Sequence, residues 1–225
     1  MNSLKSKTWF GFGKKLVVVA LLLFISAGTV NFAEAWVYLI LYFIPLLLIV
    51  NYFLRKDPAL IERRLKGGAA AENRRRQKYI MRLLSLLFSL TLIVPGLDHR
   101  FGWSHVPAFF VVAADAAILL GIAIQFYVFK ANSFASATIE VAAQQNVIAT
   151  GPYELVRHPM YSGSLLVNFF IPIALGSWWG LPFALAMFFV IVLRLLDEEN
   201  LLGQSLPGYE EYCRKVRHRL IPHIW

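Results

Sequence analysis

Four long apolar runs constrain this chain more than any other feature. A bilayer core about 30 Å thick takes about 20 mostly apolar residues per helix. Residues 16–32, 36–54, 80–97 and 106–129 have that character. A shorter run, 164–175, is followed by a Gly-Ser-Trp-Trp-Gly break at 176–180 and a further apolar run, 181–196. This last pair reads as a helical hairpin. Its first arm is short, so five or six crossings are both open, and six is the expectation. The expected fold is therefore an all-α integral membrane protein with a C-terminal interfacial helix. Composition agrees: 58% of residues are hydrophobic and 16% charged, against roughly 45–50% and 25% in soluble domains. The length of the first run, with no small-residue cleavage site after it, favours a retained span over a cleaved leader covering 1–35.

Charge sets the expected orientation. Four lysines precede the first run, and ten Lys or Arg lie between Arg55 and Arg82. Only Arg100 falls in the connection between the third and fourth runs. The positive-inside rule then puts both termini, the 55–82 loop and the 130–161 loop in the cytoplasm, as in a bacterial inner-membrane protein. Trp36, Trp103, Trp178 and Trp179 fall at the expected outer ends, where amphipathic rings favour the headgroup level. The basic loop reads as a solvated face beside anionic lipid rather than a nucleic-acid patch. Cys213 is the single cysteine, which excludes an internal disulfide and a Cys-based zinc site. The five histidines do not cluster at metal-ligand spacing.

Two organisational parts are expected: membrane helices over 1–129, and a cofactor-binding and catalytic region over 130–225. The second part holds the unusual residues. Gly151-Pro152-Tyr153-Glu154-Leu155-Val156-Arg157-His158-Pro159-Met160-Tyr161-Ser162-Gly163 places His158 before a proline, which favours extended backbone. Its carbonyl would then be free for a ligand, and Pro159 could open the next helix. The bland alternative is an interfacial turn. Arg194-Leu195-Leu196-Asp197-Glu198-Glu199 puts Arg194 and Glu198 on one helix face, which could be a simple ion pair. Three acids at a helix C-terminus oppose the macrodipole, however, and point to function. Tyr209, Tyr212, Cys213 and Val216 make one face of an amphipathic segment that either lies on the membrane or lids a site. Asp115, within the fourth run, either lines a polar cavity or is neutral and hydrogen-bonded.

Together, Gly-Pro-Tyr-x-x-Val-Arg-His-Pro-x-Tyr-x-Gly, Arg-x-x-x-Glu-Glu, Tyr-x-x-Tyr and Val-Arg-x-Arg-x-x-Pro-x-x-Trp resemble the isoprenylcysteine carboxyl methyltransferase and phospholipid methyltransferase superfamily, over roughly 134–225. The resemblance implies a helical membrane enzyme that uses S-adenosylmethionine. It implies cofactor contacts at Gln145, Asn146, Val147, Ile148, Tyr153, His158, Pro159, Met160, Tyr161 and Glu198, and a looser one at Glu140. It implies a catalytic pair: Arg194, orienting an acceptor carboxylate, and Glu198. The acceptor would be a lipophilic small molecule or a lipidated substrate met in membrane lipid, with no nucleic acid and no metal. A sterol-reductase-like enzyme using NADPH is the alternative, and a transporter or scaffold is the non-enzymatic one. Two-phosphate recognition would call for more cations near Tyr153–Tyr161 than Arg157 alone. A transporter would show broken helices in matching halves, but only the C-terminal half has them.

Overall fold

The computed structural model describes residues 2–139 and 146–225. Its elements are α1 (Asn2–Ala27), α2 (Ala33–Lys56), α3 (Pro58–Leu65), α4 (Arg75–Phe101), α5 (Ala108–Ala131), α6 (Pro152–Leu155), α7 (Pro159–Ala174), α8 (Leu181–Ser205) and α9 (Tyr209–Lys215). The protein is an all-α membrane protein, as expected. By length and composition α1, α2, α4 and α5 can each cross a membrane, and α7 is a shorter apolar helix.

Several boundaries differ from the sequence expectation. α1 begins well before residue 16: the segment carries Lys5, Lys7, Lys14 and Lys15, good helix formers, and continues through Gly11 and Gly13, each of which costs about 1 kcal/mol relative to alanine. It stops at Gly28, whose φ of +66° favours glycine. α8 runs past the apolar stretch to Ser205. The acids at 197–199 therefore do not end their helix, and the macrodipole argument made for them falls. The amphipathic segment is a seven-residue helix, α9. Its tyrosine face packs on protein: Tyr209 and Tyr212 are buried with Leu206 against Val147 and Tyr153. The segment therefore covers a loop.

α7 has 16 residues, about 24 Å at 1.5 Å per residue, which is short of the hydrocarbon core. Its far end is fixed by the hairpin turn. There Ser177 Oγ donates to Asp98, Ser104 Oγ donates to Asp98 at 2.5 Å, and Trp178 Nε1 donates to the His105 carbonyl at 3.2 Å. The same end holds Trp36 on the Val30 carbonyl and His99 beside Asn31. The beginning of α7 consequently lies inside the bundle's opposite, basic end.

α7 is held in place by its crossing with α5. A Cβ on Gly163 would stand 2.8 Å from the Gly121 carbonyl, and one on Gly121 would stand 2.7 Å from the Gly163 carbonyl. Two hydrogen-only side chains let these backbones touch, as small residues do between membrane helices. Gly121→Val is expected to destabilise the protein by about 1–3 kcal/mol through overpacking, read as a lower Tm in detergent. An unchanged Tm would show that the helices can separate there without cost. Asp115 is buried further along α5, and its Oδ1 has no hydrogen-bond partner among the described residues.

Candidate functional site

The basic end gathers the start of α7, the tail of α8, the 146–158 loop, α9 and the C-terminal strand of chain. Successive helical residues point about 100° apart, so the three acids of α8 fan out to three sets of partners. Asp197 faces α4: Arg74 Nη1 lies at 2.9 Å, Arg76 at 3.6 Å, and Gln77 Nε2 donates to it. Glu198 accepts a hydrogen bond of 2.5 Å from the Tyr161 hydroxyl. Glu199 takes Arg157 at 3.1 Å, His158 Nε2 at 3.2 Å and Arg219 Nε at 2.8 Å. Glu199 lies beyond the apolar run of α8. Burial alone would raise its pKa, but hydrogen bonds from His158 and Arg219, with the Arg157 charge, bring it down to about 2.

Arg194 does not form the simple ion pair with Glu198 that the spacing left open as the bland alternative. Its Nη2 meets Glu72 at 2.7 Å and the Ala137 carbonyl at 3.1 Å, and its Nη1 meets Gln77 Oε1 at 2.7 Å. Tyr161 and Glu198 remain within its electrostatic reach. Glu72 and Gln77 are fully buried. The 55–82 loop is therefore not simply a solvated face: its second half folds under α8 and supplies a carboxylate and an amide. Sequence reading missed Glu72 and Gln77. Asp57-Pro58, a helix-start signature, was a legible sign of α3. Asp57 caps that helix by accepting from Leu60 N at 3.1 Å.

His158 also differs from expectation. Its φ of −126° is extended, but its ψ is 58°. As residue before α7, its carbonyl accepts from Ser162 N at 3.1 Å and Ser162 Oγ at 3.3 Å. That carbonyl closes the first helical turn and is not free, while the buried imidazole faces Glu199. Pro159 begins α7, as expected. The backbone beside it is clamped: Arg157 N and His158 N donate to the His218 and Arg219 carbonyls, both at 2.9 Å.

The expected cofactor loop is described only in part. Gln145 and Glu140 lie outside the described residues. Asn146 is exposed and Ile148 and Met160 are half-buried, whereas Val147 packs under the α9 tyrosines. Gly151, with φ +61°, turns the chain into α6. Tyr153 is fixed at both ends: its hydroxyl accepts from Asn132 Nδ2 at 2.9 Å, and its carbonyl accepts from the Tyr212 hydroxyl at 2.8 Å. Burial pushes its phenol up to about 12, and the Glu198 charge adds to that. Tyr153, Tyr161 and Glu198 thus share one electrostatic environment. Next to them, between the α8 tail and α9, lies an open cleft of about 360 Å³ lined by Arg157, Glu199, Asn200, Tyr209 and Cys213. Its size is in the range of small-molecule sites. Cys213 is half-buried there and packs against the tyrosine face.

Comparison with known proteins bears on this same region. Residues 109–206 match the family model of phospholipid methyltransferases. A stretch of 91 residues, 39% of this chain, is 29% identical to Delta(14)-sterol reductase of Mus musculus. The matching stretch spans 22% of that relative's length.

Proposed function

We propose, from the match of residues 109–206 to the family model of phospholipid methyltransferases, that this chain transfers a methyl group from S-adenosylmethionine to a lipophilic acceptor. One observation carries the reading. Of the three consecutive acids, Asp197 and Glu199 are each neutralised by arginines, whereas Glu198 is held by the neutral Tyr161 hydroxyl. Glu198 is only half-buried, so it presents a positioned carboxylate that suits an ammonium or a pair of ribose hydroxyls.

Bound S-adenosylmethionine would supply an electrophilic methyl group. Glu198 and Tyr161 would hold its polar end, Tyr153 and Val147 would wall the adenosine side, and α9 would exclude water. Asn146, Ile148, Pro159 and Met160 belong to the same proposed surface. Methyl transfer is an in-line displacement, so the protein's contribution is alignment in a dry site. Arg194 would fix the Tyr161–Glu198 pair from below through its bonds to Glu72 and Gln77. An acceptor carboxylate needs no base, and an acceptor lipid would reach the site at the membrane surface. The asymmetry of Lys and Arg supports placing both termini and this site at the cytoplasmic face.

The sterol-reductase relative favours a second reading, a nicotinamide-dependent reductase. Two arginines line the cleft: Arg157 is committed to Glu199, and Arg214 is exposed, which leaves one cation for a dinucleotide's two phosphates. Calorimetry in detergent separates the two. S-adenosylhomocysteine should bind and NADPH should not, and the reverse result would transfer the site to the reductase reading.

A further inference from the structure

Two guanidiniums, not one, converge on the 136–137 backbone beside the site. Arg64, in the last turn of α3, donates from Nη1 to the Ser136 carbonyl at 3.0 Å, and Arg194 donates from Nη2 to the next carbonyl, Ala137, at 3.1 Å. Arg64 lies over the Phe129 ring, 5.2 Å from its centroid. It is within electrostatic reach of Tyr161, Tyr153 and Arg194.

The two differ in what meets their charge. Arg194 is buried and paired with Glu72 at 2.7 Å. Arg64 remains partly accessible, and no carboxylate among the described residues pairs with it. A second cation beside Arg194 is costly unless an anion offsets it, because like charges in a partly dry site repel strongly. The surroundings indicate where such an anion comes from. On α3, Leu60 and Ile61 are buried against Phe53, Leu54, Phe126 and Phe129, while Leu65, next to Arg64, is 40% exposed. A chain-bearing amphiphile could lay its tail over Leu65 while its head reaches the guanidinium.

We propose that Arg64 is the docking group for the acceptor: a lipid-borne oxyanion, carboxylate or phosphate, binds its planar fork beside Tyr161 and Glu198. The assignment of that amphiphile as methyl acceptor rests on the methyltransferase reading. Arg194 then acts as a positioning residue, and Arg64 supplies the recognition of substrate charge. Arginine fits the role through its two parallel N–H donors, which match either oxyanion.

The test titrates the full chain, in a neutral detergent, with laurate, dodecyl phosphate, inorganic phosphate and S-adenosylhomocysteine. Arg64→Gln should weaken the two amphiphiles about ten- to a hundredfold, as for loss of a charge-assisted hydrogen bond, and leave S-adenosylhomocysteine affinity unchanged. The stronger of the two amphiphiles identifies the headgroup. Unchanged amphiphile affinity overturns the proposal. An equal loss of S-adenosylhomocysteine affinity overturns it by making Arg64 a cofactor contact. Inorganic phosphate binding as tightly as dodecyl phosphate overturns the lipid-borne part. If the wild-type chain fails to bind S-adenosylhomocysteine, the methyltransferase reading falls, and the amphiphile comparison still decides Arg64. Should Arg64→Gln not fold, Arg64→Lys decides: without the fork both amphiphiles should bind severalfold more weakly, and unchanged affinity overturns the assignment.

Discussion

Arg194→Ala should cost the protein about 3–5 kcal/mol of stability, the usual result of removing one member of a buried ion pair. In a domain of this size that is a fall in Tm on the order of 10 °C. Arg194 and Glu72 are 6% and 2% exposed, and their atoms meet at 2.7 Å. Without the guanidinium, Glu72 would keep, among the described residues, the amide of Ile139 at 3.3 Å. Gln77 would lose the acceptor side of its bridge between Arg194 and Asp197. Replacing both charged partners, as in Arg194→Met with Glu72→Leu, should restore much of the loss, because it leaves no unpaired charge. Thermal melts of the single and double variants measure this. Equal melting of Arg194→Ala and wild type would show that the pair does not hold the 66–77 segment against α8. The plain ion pair with Glu198 that the spacing allowed predicts something else, namely that Glu198→Ala would be as destabilising as Arg194→Ala.

That contrast shows where the sequence was legible. Periodicity and run length reveal the helices, because burial in lipid demands long apolar stretches and backbone groups satisfied within them. The same logic cannot locate their ends: α1 begins fourteen residues before its apolar run, through a polar stretch of lysines and two glycines that hydropathy does not mark as helix. The four-residue spacing put Arg194 and Glu198 on one face, correctly, but a shared face does not choose a partner. Glu72 chose it, from 122 residues away, inside a basic segment whose composition reads as surface. His158 failed for a local reason. A residue before proline is kept out of helical geometry, yet it can still serve as the residue that starts the helix, and its carbonyl is then consumed by Ser162. The close approach of Gly163 to Gly121 became visible only when α5 and α7 were packed together.

Glu198→Gln is expected to weaken S-adenosylhomocysteine about ten- to a hundredfold, the loss of about 1.5–3 kcal/mol from a charge-assisted hydrogen bond, while leaving Tm close to wild type. Both halves follow from how the three acids are used. Glu198 is bonded to the Tyr161 hydroxyl at 2.5 Å, and a glutamine oxygen can accept that same bond. Folding therefore loses little. What disappears is a negative charge that no arginine contacts directly among the described residues. Asp197→Asn, by comparison, removes a charge from Arg74 and Arg76 inside a 2%-exposed carboxylate pocket, so its effect should fall on Tm and not on ligand affinity. Calorimetric titration with S-adenosylhomocysteine and melts on the two amide variants read the two effects apart. If Glu198→Gln keeps wild-type affinity, the member of the 197–199 trio that no arginine contacts directly is not a ligand contact, and the cofactor must be sought instead in the cleft between α8 and α9.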